Sequence, residues 1–149
     1  MCIRLNSIKD CSKVAESDMT AYKILEVVED NKTGEESYYS PFSPKKRQYK
    51  VGKQYTEPLG KIEDVQYLYD LSRGWEGYSF AAKTTTGLYS YRDLDRAVKF
   101  IHIIEDCFIA PKYKIFRCKV PKGSKYYAPS KGNEIVSDNL IIVSQVSLN

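Results

Sequence analysis

Cations and tyrosines, interleaved, are the chemistry this sequence is best equipped for. Residues 45–53 carry Lys45, Lys46, Arg47, Lys50 and Lys53, and residues 111–133 carry Lys112, Lys114, Arg117, Lys119, Lys122, Lys125 and Lys131, with no acid in either stretch. Those 12 leave 11 of the 23 basic residues against all 19 acids, so the net charge of +4 is +12 in two stretches against −8 elsewhere. Tyr49 and Tyr55 lie in or beside the first stretch, and Tyr113, Tyr126 and Tyr127 within the second. Cationic groups hold phosphate and ring faces stack bases, so the combination points to a flat, negatively charged ligand. Candidate ligand-binding residues are Lys45, Arg47, Tyr49, Lys50, Tyr55, Trp75, Tyr89, Lys125, Tyr126 and Tyr127. A purely structural account of the same pattern is that strands favour tyrosine and lysines protect exposed strand edges.

Other chemistry is sparse. No phosphate-cradling glycine loop, HExxH or GxSxG motif occurs, which favours a binder over an enzyme. The single histidine, His102, shares a polar helix face with Asp95, Lys99 and Asp106, so it reads as a surface residue paired with Asp106 one turn on. Cysteines fall at 2, 11, 107 and 118 without a CxxC pair. Reduced thiols acting as small hydrophobes are expected, with no metal and no cofactor. Glu134, near the start of a late strand, is the one carboxylate with a candidate catalytic position.

The elements that must position these residues fit one domain spanning 1–149, since 149 residues is about the size of a single core. Ile, Leu, Val and Phe number 36, enough to build it. Apolar runs reach only four residues, too short for a membrane span or secretory signal. Residues 1–18 read as a loosely attached segment. Thr20–Glu29, where Ala21, Lys23 and Leu25 alternate with Tyr22, Ile24 and Glu26 ahead of Val27 and Val28, is a strand with one well-buried face. A turn at 30–34 leads to a returning strand at 35–39. Residues 49–55 form a short strand or hairpin arm, while 61–74 has no clear pattern. Trp75–Ala81 and Gly87–Tyr91 read as two strands joined by Lys83–Thr86. From Arg92 or Asp93 to about 108, apolar residues recur at helical spacing, with Ser90 or Asp93 as cap and Pro111 as stop. Tyr113–Val120 is a basic strand, and Asp138-Asn139 suits a tight hairpin turn between two final strands. The fold class is α+β, a mostly antiparallel sheet packed by one main helix.

Several phrases in combination, namely Met1-Cys2-Ile3, Ala21-Tyr22-Lys23-Ile24-Leu25, Ser40-Pro41-Phe42, residues 49–55, residues 87–91, residues 120–127 and residues 134–138, resemble a family of small uncharacterised bacteriophage and prophage proteins. The resemblance spans nearly the whole chain and carries no catalytic residues. Where those relatives often have Gly-Phe-His, this chain has Gly87-Leu88-Tyr89. The resemblance implies an accessory protein in the cytoplasm of a bacterial host, and by analogy a homo-oligomeric sponge that sequesters a phosphorylated nucleotide signal in defence of the phage. Two alternatives are an enzyme laid out like ADP-ribosyltransferases, with Lys23 on the first strand and Glu134 on a late one, and an inhibitor of a host protein. Dispersed basic residues without a recognition motif disfavour specific nucleic-acid binding.

Overall fold

The structure, a computed structural model, describes residues 12–41, 47–60, 63–68, 78–83, 87–107, 112–128 and 133–148, excluding the side chains of 12, 63–68, 78–83 and 104–107. The elements are β1 (Ser12–Val14), β2 (Met19–Glu29), β3 (Glu36–Tyr39), β4 (Gln48–Tyr49), β5 (Gln54–Thr56), β6 (Glu63–Leu68), β7 (Tyr78–Lys83), β8 (Leu88–Tyr91), α1 (Leu94–Cys107), β9 (Lys112–Val120), β10 (Lys125–Tyr127), β11 (Glu134–Ser137) and β12 (Asn139–Gln145). This is α+β: a large antiparallel sheet in the order β1-β10-β11-β8-β2-β9-β12-β5, with β3 and β4 joined to β2, a separate β6-β7 pair, and one helix.

β2 is the hub. One side pairs with β9 along its length, from Met19↔Val120 to Val27↔Lys112. The other side is shared: β8 meets it at Tyr22↔Tyr91, and β3 takes over from Glu26 to Glu29. Between these contacts, at residues 23–25, that side has no strand partner among the described residues. Ala21 and Leu25 pack with Tyr49, Leu88, Phe116, Cys118, Val120, Ile135, Leu140 and Ile142. On the opposite face Ile24 packs with Tyr91, Ile115 and two residues of α1, Ala97 and Ile101. The single buried face expected of β2 is therefore replaced by burial on both, because the alternating pattern puts apolar residues on each side of the strand.

Local turn chemistry is where the sequence indicates it. Gly34 and Gly52 have φ of 71° and 85°, conformations that glycine adopts without strain. Asp93 rather than Ser90 starts the helix: its carbonyl accepts the Ala97 N–H, and its own N–H donates to Asn133 Oδ1. Ser90 is buried, and its hydroxyl makes no hydrogen bond within the described residues.

Long-range pairing departs from the local reading in three places. β11 and β12 do not form a hairpin; β11 pairs with β8 and β10, and β12 with β9 and β5. Asp138 is instead a corner, its N–H donating to Lys125 O and its carbonyl accepting Glu57 N–H, while its carboxylate accepts the Lys125 N–H. β7 pairs with β6 rather than with β8, and thereby gives residues 63–68 a strand that local periodicity leaves unassigned. Residues 12–18 are also tied down: β1 pairs with β10, Ala15 is buried and bonded to Ser124 and Gly123, and Asp18 accepts the Lys122 N–H.

Gly87 combines φ of 131° with a Cα against Val136, where a Cβ would overlap the Val136 side chain and press on Leu59. Gly87→Ala is expected to destabilise by about 2–3 kcal/mol, from backbone strain together with overpacking, measured as a lower urea midpoint at unchanged slope.

Candidate functional site

Lys23 is in phase with Ala21 and Leu25, so its side chain enters the core of the face opposite α1, where it is 7% exposed. Its Nζ donates to the carbonyl of Tyr89 at 2.6 Å and lies over the Tyr49 ring, 5.0 Å from the centroid. Tyr55 packs edge-on against Tyr49 at 4.7 Å. At the rim, the Arg47 guanidinium pairs with Glu57 at 3.2 Å. Burial pushes the Lys23 pKa down to about 8; Cys118 and Glu57 act against the shift, and Arg47 adds to it. The same burial holds the Cys118 thiol protonated, with its pKa near 12, and raises that of Tyr49 to about 12.

This arrangement uses several residues the sequence offers for ligand binding. Arg47 is engaged by Glu57, and Tyr49 is buried in the core, where its ring faces Lys23 rather than a base. Tyr55 accepts the Lys50 N–H through its hydroxyl and has Lys53 over its ring, while the Lys50 side chain is exposed. Tyr89 contributes its carbonyl. Tyr126 packs on the core containing Tyr49, and Tyr127 donates to the Gly60 carbonyl. Lys125 is exposed. The two basic stretches do meet, since Arg47 reaches Glu57, whose backbone bonds Asp138, which in turn bonds Lys125. Lys45 and Trp75 lie outside the described residues. Glu134 pairs in register with Tyr91, and Tyr91 belongs to the core under α1. By strand alternation Lys23 and Glu134 therefore project from opposite faces of the sheet.

A different set of residues lines a groove at the start of α1. It has a volume of about 440 Å³ and is walled by Tyr22, Arg92, Asp93, Leu94, Asp95, Arg96 and Lys99. Arg92, Arg96 and Lys99 recur at spacings of four and three, which brings three exposed cations to one side of the start of α1. None of the three has an ion-pair or hydrogen-bond partner among the described side chains. Asp93 and Asp95 line the same groove, so its charged side chains sum to +1, with the positive end of the helix adding to them. The spacing of these cations was readable in the sequence, but the Tyr22 wall required the β2–β8 pairing. No protein-family model, curated protein or solved structure matches the chain.

The Lys23 environment makes stability depend on pH. Because its folded pKa of about 8 lies below the ordinary 10.5, the unfolded chain binds more protons between those values, and stability rises with pH there. Cys118 opposes this above about pH 9, its folded pKa being raised from that value. The net gain is therefore expected between about pH 8 and 9, at about 1 kcal/mol. Urea unfolding of Lys23→Met should show no such gain. The variant should also be more stable near neutral pH by about 1 kcal/mol, because it removes a charge from the core at the cost of one hydrogen bond. A wild-type stability that falls from pH 8 to 9 would contradict the assignment.

Proposed function

We propose that this protein is a non-enzymatic binder of a small phosphorylated nucleotide, held in the groove at the start of α1. The observation that carries the reading is the joining, around about 440 Å³, of one tyrosine and three cations that outnumber the two aspartates beside them and have no side-chain partner among the described residues. That volume lies within the ~300–1,000 Å³ usual for small-ligand sites. Arg92, Arg96 and Lys99 would take the phosphate, the arginines by paired N–H groups, and the Tyr22 ring would give the base or ribose an apolar wall. The ligand region thus moves from the first basic stretch, whose Arg47 and Tyr49 are committed to the core and its rim, to the helix.

The resemblance to bacteriophage proteins supplies the setting of the proposal: sequestration of a host nucleotide signal, in the bacterial cytoplasm, by a homo-oligomer of single domains each packed by α1. Among the described residues no helix is long and apolar enough to cross a membrane. The separation of Lys23 and Glu134 onto opposite faces gives no support to an ADP-ribosyltransferase arrangement, which needs both at one cleft.

Thermal unfolding with a panel of adenosine and guanosine phosphates, cyclic dinucleotides and ADP-ribose tests the reading. At least one should raise the melting temperature by several degrees at saturation. Arg96→Glu should weaken that ligand by tenfold or more, roughly the loss of one charge-assisted contact plus repulsion, with the free protein's melting temperature unchanged. NAD should be recovered intact after denaturation. A panel without any shift, or release of nicotinamide, would overturn the proposal.

A further inference from the structure

Arg117 and Lys119 extend the positive surface beyond the groove. The β2–β9 register sets Tyr22 opposite Arg117 and Thr20 opposite Lys119, so all four project from one face of the sheet. That face is the one α1 packs on, since Tyr22 joins the core formed by Ile24, Ile115 and Ala97. The helix covers the Ile24–Ile115 row, whereas Thr20, Arg117 and Lys119 are exposed beside Tyr22. The Arg117 side chain has no hydrogen-bond or ion-pair partner among the described residues. Lys119 stands 3.9 Å from Asp18, with both side chains about half exposed, a pairing weak enough for a phosphate to displace. Tyr22 thus stands between two groups of cations, one at the helix start and one on β9.

We propose that the ligand tract runs from the Arg92–Arg96–Lys99 groove across Tyr22 to Arg117 and Lys119, and that it selects a linear dinucleotide carrying two phosphates over a mononucleotide. The inference rests on the function proposed above and adds the ligand class. Neighbouring strands lie about 4.8 Å apart and same-face residues about 6.6 Å apart along a strand, so Arg117 and Lys119 begin one to two side-chain widths beyond Tyr22. One phosphate is bound at the helix, the ring of Tyr22 faces the intervening nucleoside, and the second phosphate meets the β9 cations.

Titration of the full chain at low salt with 5′-AMP and with the 5′-phosphorylated adenine dinucleotide separates the two claims. The dinucleotide should bind ~10-fold tighter, and its affinity should fall with salt by about 0.7 more in log–log slope, as expected for one additional phosphate. In the Arg117→Gln/Lys119→Gln variant the ratio of the two affinities should fall towards one, while Arg117→Lys, which keeps the charge, should preserve it. Thermal melts establish that each variant is folded. Equal affinity for both ligands in the wild type, or a ratio that survives the double substitution, would overturn the extended tract while leaving the groove in place. Binding of neither ligand would count against the groove and therefore against the tract as well.

Discussion

The ammonium of Lys23 has to be solvated by protein, and the division of the sheet beside it supplies the means. β8 leaves β2 after Tyr22 and β3 joins it only at Glu26, so the Tyr89 carbonyl on the β8 edge is available to Lys23. The Tyr49 ring covers the ammonium from the other side. Burying a charge with one hydrogen bond and one ring is costly, as the lowered pKa of this lysine records. β8, β4 and β2 are consequently held at one point by an interaction whose strength depends on protonation. The core around it, from Phe116 to Ile142, must close without a gap for the group to remain dry.

Charge is redistributed in the same way. In sequence the basic stretches and the acidic remainder are separate, but in the fold they meet. Glu36 takes Lys114 at 2.7 Å, and its carboxyl is held below the usual range chiefly by that bond. Glu57 takes Arg47, and Asp18 lies near Lys119. Most of this pairing is on or near the surface and contributes little to stability. Its larger effect is on which cations keep no ion-pair partner among the described residues: Arg92, Arg96 and Lys99, which lie in the net-negative part of the sequence, and Arg117 are among them, as are the exposed Lys50 and Lys125.

Periodicity made much of the fold legible. The helix from Leu94 to Cys107, β2 with its turn into β3, and β9 all follow from spacing, proline and glycine. Partners did not follow. A strand at 134–137 before Asp138-Asn139 and another after it look like a hairpin, because nothing local distinguishes a hairpin turn from a corner at which the chain changes neighbours. Tyr49 is the corresponding case for the site. Beside Arg47 and Lys50 it reads as a stacking surface, and only its contacts with Tyr55, Lys23 and the core reveal a buried ring.

The sequence by itself determined the α+β class, the alternation that sets Lys23 on the same side of its strand as Ala21 and Leu25, and the spacing that aligns Arg92, Arg96 and Lys99. These are properties of neighbours along the chain, governed by backbone period and side-chain type. The tertiary structure decided that Lys23 ends at the Tyr89 carbonyl, that Tyr22 walls the groove, and that Arg117 stands next to Tyr22 while Glu134 faces away from Lys23. Each of those depends on which strand lies beside which. That choice is set by the burial of two sheet faces at once, a condition no single segment contains.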